Sequence, residues 1–451
     1  MSIRLKPLVV ALTGLLCAPS VFAVDIVGVH NLAVQNDPQL RAASYRRDAT
    51  NENRNQARSS LLPTLSVSGT TTQGDSQTSV AGAQFPSTDT DNENISLNLS
   101  QTIYDRANYE RLEIAKGQVS QGEAVYQKAY QDFLVRIASS YFNVLTAIDG
   151  VTFAEAEEKA LQRQFEQAEQ RFEVGLTAVT DVHEARASYD NARARAIVSR
   201  NNQADAQEGL RELTGQYFSE LDPLQETLPM VPPDPPVAED WVQIALANNP
   251  SVNQARFGVE IAEGNAGLQN SGHYPTLSFT ASKSEFTNNA FFGVDPFTQE
   301  PSLTPQALEN DSTRYGLQLN IPIYQGGAVS SRTRQARANL NAAHQDLDAQ
   351  QRATVRQTHN AFRGVVAGIQ QVEAFGQALI SAESALEATQ AGFEVGTRTI
   401  VDVLIAEQRY FQAARDNSNA RHTYIVDQLR LKAAAGVLSE EDLGKVNSIL
   451  D

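Results

Sequence analysis

Hydrophobic and polar residues alternate along this chain in two rhythms. In four short stretches the period is two. Leu65-Ser66-Val67-Ser68 and Ile95-Ser96-Leu97-Asn98-Leu99-Ser100 carry it in the first half of the chain. Leu277-Ser278-Phe279-Thr280-Ala281 and Tyr315-Gly316-Leu317-Gln318-Leu319-Asn320-Ile321 carry it in the second. Each predicts a strand with one apolar and one polar face. The expected strands cover about 62–73, 93–104, 274–284 and 312–324, with Gly/Ser/Thr/Asn/Asp-rich loops at 73–93 and 284–313. The polar side is Ser, Thr, Asn and Gln, which suits a wet interior better than a packed core. Any one strand would serve equally in a soluble antiparallel sheet; four together favour the apolar-outside, polar-inside pattern of an outer-membrane barrel. Four strands cannot close a barrel, and lipid does not tolerate open edges. The smallest such barrels have about eight strands, so the chain must pool strands with copies of itself, as a dimer of eight or a trimer of twelve.

The second rhythm is a seven-residue beat. Leu112, Val119, Tyr126 and Phe133 form one stripe; Val365, Val372, Leu379, Leu386 and Phe393 form another. No Pro interrupts 105–172 or 328–393, so each stretch reads as a single helix. At about 1.5 Å per residue each is on the order of 100 Å long. Shorter partners follow, through Val182, Tyr189, Ala196 and Leu210 and through Val403, Tyr410, Tyr424 and Leu431. Sustained heptads lay helices side by side in coiled-coil fashion. The expected helices are 38–58, 105–172 and 180–214, then 250–270, 328–392 and 400–435. Their opposite faces are polar and charged, as on a solvated rod. Joined to strands that need lipid, those faces fit the wall of a tube better.

These elements occur twice. Pro38 in Asn36-Asp37-Pro38 recurs as Pro250 in Asn248-Asn249-Pro250, a shift of 212 residues, and Pro63-Thr64-Leu65-Ser66 recurs as Pro275-Thr276-Leu277-Ser278. Farther on, Phe172-Glu173-Val174-Gly175 matches Phe393-Glu394-Val395-Gly396. A repeat of about 200 residues is too long for a solenoid unit. The expected fold is therefore mixed and mainly α, built from duplicated strand-strand-long-helix-helix halves at 24–222 and 238–451. A Pro-rich linker at 223–237 joins them, and Ser439-Glu440-Glu441-Asp442 resembles a capped helix start.

Composition narrows the functional classes. Arg4 and Lys6, the apolar stretch Leu8 to Leu16 and Val21-Phe22-Ala23 read as a secretory signal over 1–23. Cys17 could mark a lipid anchor, but Gly14-Leu15-Leu16 before it fits a lipidation box poorly. Beyond the signal, no Cys remains for a disulfide or thiolate, and 34 Lys+Arg face 53 Asp+Glu. That acidity argues against nucleic acid as a partner. No later segment has about 20 consecutive apolar residues, so any membrane passage belongs to strands. The six His are scattered, with no ligand pair, and no nucleophile elbow or phosphate loop occurs. Neither an enzyme nor a cofactor is expected.

Two tight turns separate long helix from short partner. The first reads Phe172-Glu173-Val174-Gly175-Leu176-Thr177-Ala178-Val179-Thr180-Asp181-Val182, the second Phe393-Glu394-Val395-Gly396-Thr397-Arg398-Thr399-Ile400-Val401-Asp402-Val403. Gly175 and Gly396 would end the incoming helices in a left-handed conformation. Thr177 or Thr180, and Thr399 with Asp402, would cap the outgoing ones. Capping leaves Arg398 and the paired Asp less well explained. Gly396 to Leu404, Ile321-Pro322-Ile323-Tyr324-Gln325-Gly326-Gly327 and Tyr141-Phe142-Asn143-Val144-Leu145 resemble the TolC family of outer-membrane channels, and the similarity spans the mature chain.

The resemblance implies a homotrimer whose twelve strands form one outer-membrane barrel, continued by a twelve-helix coiled-coil tunnel across the periplasm. It implies that Thr180, Asp181, Phe393 and Arg398 hold a periplasmic entrance shut and that Asp402 lines it as an acidic ring. The tips Gly175, Leu176 and Thr177, and Gly396, Thr397 and Arg398, would meet a periplasmic adaptor. The implied partners are that adaptor, an inner-membrane pump of the RND, ABC or MFS type, and outer-membrane lipid. Two residues depart from the family pattern. Phe393 stands in place of a Tyr and lacks its hydroxyl, and Ile405 replaces a second acid, leaving one carboxylate per subunit. Asp181–Arg398 is then the expected latch pair, each partly exposed copy worth about 0–1 kcal/mol. The function implied is an exit duct for small-molecule efflux or type I protein secretion; the competing class is a non-transporting coiled-coil adhesin or structural envelope protein.

Overall fold

A computed structural model describes residues 24–76, 79–80, 83–84, 88–291 and 306–450. The expected signal at 1–23, Cys17 included, lies outside them. The first half runs α1 (Ile26–Asn36), α2 (Pro38–Ser59), β1 (Thr64–Ser76), a small ribbon β2 (Ser79–Val80) and β3 (Ala83–Gln84), β4 (Thr88–Tyr104), α3 (Arg106–Glu173) and α4 (Val179–Thr214). The second runs α5 (Ala238–Asn248), α6 (Pro250–Asn270), β5 (Thr276–Phe291), β6 (Gln306–Asn320), α7 (Ala328–Glu394) and α8 (Ile400–Ala435). A final helix, α9 (Glu440–Asn447), follows.

The strands form one antiparallel sheet in the order β1-β4-β5-β6. Its register puts every apolar period-two residue on one face. Leu65 lies opposite Leu99, Leu99 opposite Ala281, and Ala281 opposite Tyr315. Leu65, Val67, Ile95, Tyr315, Leu317 and Leu319 are all well exposed on that face. A register shift at Thr102/Tyr104 brings Tyr104 opposite Leu277 and onto the same face. Ser66, Ser68, Ser96, Asn98, Ser282 and Gln318 occupy the other. The strand boundaries differ from expectation in two ways. All four strands run into the Gly/Ser-rich stretches expected as loops, because cross-strand Thr and Ser bonds such as Thr90 Oγ1 to Gly74 O (2.6 Å) extend the ladder. The last strand stops at Asn320 rather than about 324, because Pro322 has no N–H to donate.

α3 and α7, of 68 and 67 residues, are the long axes of the molecule. α3 packs against α2 and α6 toward the sheet and against α4 and α8 beyond; α7 packs against α6 and then α8. Reciprocal small residues let α3 and α6 approach closely. A Cβ at Gly264 would stand 2.8 Å from Ile114, and one at Gly117 would stand 3.0 Å from Ile261. The entries to α2 and α6 share one device. Asp37 accepts from the amides of Gln39 (2.6 Å) and Leu40 (3.1 Å), Asn249 from those of Ser251 (2.9 Å) and Val252 (3.4 Å), and Pro follows each.

Midway along the long helices lies the largest core, built from α1, α2, α3, α4, α5, α7, α8 and α9 around Phe133, Leu134, Ile137, Tyr141 and Tyr424. Each such side chain contributes about 1.5–3 kcal/mol by leaving water. The Tyr141 hydroxyl donates to the carbonyls of Val24 (3.2 Å) and Asp222 (2.9 Å), tying the start of the described chain to the segment after α4. The Pro-rich linker does not swing free. Tyr424 donates to Val231 O (2.9 Å), and Trp241 Nε1 donates to Pro235 O (2.8 Å). α1 and α5 were not expected from the sequence. Each is 11 residues long, too short to show a period, and is held by burying Ile26, Val29 and Ala33 or Trp241, Val242 and Ala245.

Candidate functional site

The two turns at the far end of the helices share one backbone design. After α3 ends, Gly175 takes φ +74°, its N–H donates to Phe172 O (2.9 Å), and Leu176 N–H donates to Arg171 O (2.8 Å). After α7, Gly396 takes φ +79°, its N–H donates to Phe393 O (3.1 Å), and Thr397 N–H donates to Gly392 O (2.8 Å). This paired bonding satisfies the last carbonyls of each helix, and only Gly adopts the left-handed angle without strain.

The outgoing helices start differently. Thr399 caps α8: its Oγ1 accepts from Asp402 N–H (3.3 Å), and the Asp402 carboxylate accepts from Thr399 N–H (2.9 Å). The Thr399 N–H and the Thr399 hydroxyl (2.9 Å), both donating to it, hold the Asp402 carboxyl below the usual carboxylate range, with Arg398 adding a smaller pull in the same direction. α4 departs from expectation. Its N-cap is Ala178, with no side-chain cap, and Thr180 lies inside the helix, exposed. Thr177 donates instead to the Asp181 carboxylate, because the chain enters α4 one residue after Thr177 and one before Val179.

The tips Gly175, Leu176, Gly396, Thr397 and Arg398 are exposed, and Thr177 is half-buried. Arg398 folds its stem over Gly392, where an added Cβ would lie 2.8 Å from the Arg398 Cγ. Among the described residues, no ion pair joins Asp181 to Arg398 within the protomer. Phe393 sits at the junction of the two helix pairs, packed on a small core of Leu161, Ala168, Ala185, Ala192, Ile400 and Leu404. The Arg171 guanidinium lies over its ring, 4.6 Å from the centroid. Ile405 is exposed.

Sequence reasoning missed what fastens the two helix pairs above the tips. Glu157 on α3 is fully buried and takes Arg195 of α4 (2.7 Å) and Arg415 of α8 (3.1 Å). Nearer the tips, buried Glu407 of α8 accepts from Gln164 of α3 (3.2 Å) and Gln390 of α7 (3.4 Å). Burial pushes its carboxyl up, against the pull of those amides and of Arg163. Farther from the tips, Ser418 donates to Asp149, and His422 Nδ1 meets Thr146 Oγ1 at 2.8 Å. The Thr146 proton goes to Phe142 O (2.8 Å), so the imidazole donates from Nδ1. Spacing offered a faint signal: Glu157 and Gln164 fall seven residues apart, on the face that meets α8.

No described helix is long and apolar enough to cross a membrane, and no group of three or more His, Cys, Asp or Glu among the described residues is placed to hold a metal. The sequence profile described as "Outer membrane efflux protein" matches residues 29–216 and 241–437. The chain belongs to this family. It is an outer-membrane exit duct of the efflux or type I secretion kind, and it extends into the periplasm. It is 36% identical over 450 residues to outer membrane protein TolC of Vibrio cholerae, covering 99% of this chain and 98% of that protein. It is 29% identical over 434 residues to the alkaline protease secretion protein AprF of Pseudomonas aeruginosa, covering 95% and 88%. In fold it matches the crystal structure of the outer membrane protein VceC from Vibrio cholerae, with a TM-score of 0.72, 21% identity and coverage of 91% and 96%. The outer-membrane efflux fold accounts for the sheet and the long helices together: an exposed apolar strand surface set on a helical wall.

Proposed function

We propose that three copies of this chain form one continuous duct, a twelve-stranded barrel set on a twelve-helix tunnel, that carries small molecules, secreted proteins or both out of the periplasm. The observation that carries this reading is the sheet. Its apolar face is exposed, and β1 and β6 are both left as open edges in one protomer. Those edges run antiparallel, so β6 of one copy can pair with β1 of the next and continue the same alternation until the ring closes. The polar face then lines a wet lumen.

The helix turns form the periplasmic entrance of this duct. Within a protomer, Asp181 is held by Thr177, and Arg398 is exposed with its stem folded over Gly392. The Asp181–Arg398 latch therefore joins neighbouring copies, with Thr180 beside it. Phe393, clamped under Arg171, holds the two turns of one copy together. Asp402 contributes one carboxylate per copy to the mouth. The exposed tips are the surface an adaptor meets, and an inner-membrane pump drives cargo through the opened mouth.

The test is direct. Detergent-extracted protein is expected to have the mass of three chains by light scattering and to open discrete conducting channels in a planar bilayer. A water-soluble, non-conducting rod would favour a structural or adhesive role and end this reading.

A further inference from the structure

Every charged residue on the described strands except one lies at an odd-numbered position, on the face that carries the apolar belt. Lys283, Glu285 and Asp311 are on that side, and Lys283 pairs with Glu285 (3.7 Å) and Asp311 (3.8 Å). The exception is Arg314 of β6. It lies opposite Ser282, and its same-face neighbours along and across the strands are Ser312, Gly316, Thr280 and Ser284. All are small, and Ser284 and Ser312 are bonded to each other (2.8 Å). Arg314 is exposed, and no carboxylate shares its face among the described residues. Among the described residues its guanidinium has no ion-pair partner, and it projects from the polar surface at the level of Tyr315, the outer margin of the apolar belt on β6.

We propose that Arg314 is a specificity-determining residue of the duct, a guanidinium from each copy forming a positive girdle that favours anionic solutes and acidic polypeptide in the barrel lumen. The inference rests on the assembly reading above, which turns the polar face inward. A closed barrel of twelve strands, spaced about 4.8 Å and tilted about 40°, has a backbone radius of about 12 Å. An extended Arg reaches about 6 Å inward, leaving about 6 Å to the axis. The Debye length is about 10 Å at 0.1 M salt, so the three charges act across the whole opening rather than at the wall alone. The girdle is opposite in sign to the Asp402 mouth at the other end, and cargo meets the two in series.

Reversal potentials across a KCl gradient test this, measured on single channels with Asp402 intact and in an Asp402→Ala background, where the mouth no longer sets the ratio. Arg314→Gln is expected to raise the K⁺/Cl⁻ permeability ratio about twofold, and Arg314→Glu more. Arg314→Lys should keep the parent ratio, which separates charge from packing. Unchanged ratios for Arg314→Gln and Arg314→Glu in both backgrounds would overturn the girdle while the duct itself stands. Failure of the unsubstituted protein to conduct would instead remove the assembly reading.

Discussion

At the scale of single residues, the two turns show how little chemistry is needed to close a helix pair and how much is left over for a gate. Gly175 and Gly396 are fully explained by backbone geometry, and Thr399 with Asp402 by capping. Arg398 is explained only in its backbone, whose N–H donates to Gly392 O (3.2 Å); its side chain caps nothing, and Gly392 makes room for its stem. On the proposed latch, Arg398→Ser is expected to raise single-channel conductance several-fold, since three partly exposed pairs of about 0–1 kcal/mol each would be lost together. Currents of unaltered size would remove Arg398 from the latch. Phe393 contributes differently from a tyrosine. With no hydroxyl to offer Asp181, it works through its ring, against Arg171 and the small core beneath the tips.

At the scale of elements, two helix pairs meet along a polar seam between α3 and α8. Apart from Glu157–Arg195 and Glu407–Gln390, the Ala-rich contacts within each pair are apolar, whereas the seam runs His422–Thr146, Ser418–Asp149, Arg415–Glu157 and Glu407–Gln164. Glu407 is its strained member. Its Oε2 and the Gln164 Oε1 both lack partners, so a proton on the acid supplies a donor where one is missing. Because the folded-state pKa is raised, the seam is more stable below the ordinary value of 4.5 and loses that stability as pH rises through the folded value. Glu407→Gln is accordingly expected to raise the unfolding free energy at pH 7, read from urea titrations, by on the order of 1 kcal/mol per copy. The gain should vanish below about pH 4.5; an equal gain at both pH values would contradict it. His422 acts in the other direction. Burial lowers its pKa to about 4 from 6.5, so its contribution is present above 6.5 and fades as pH falls toward 4.

At the scale of the whole molecule, one chain is an incomplete object. The sheet exposes its apolar face and both edges, while the helical half buries its own core through Tyr141 and Tyr424. The lipid-facing assignment has a paired test. Leu317→Arg lies on the apolar face and should cost about 2–4 kcal/mol per copy in bilayer insertion. Gln318→Arg, one residue on and facing the lumen, should insert as the parent does. Both are read from the fraction of folded protein in lipid vesicles against urea. Equal losses would mean that the two faces had been assigned wrongly.

Much of this was legible in the chain alone. Period two and period seven identified strands and coiled helices, because each is a local rule that neighbouring residues obey without help from distant ones. The duplication and the Gly-ended turns were visible for the same reason. What the sequence could not show depends on partners far along the chain. α1 and α5 exist only because the central core covers them. Thr177 and Thr180 looked like caps until the path of the backbone placed Ala178 at the start of α4. Glu157 and Glu407 carry no local mark of burial; only α4, α7 and α8 packing around them takes them out of water. Arg314 lay in plain view as one polar residue among many. Only the register, which carries its alternation across four strands to Leu65, separates its face from that of every other strand charge described.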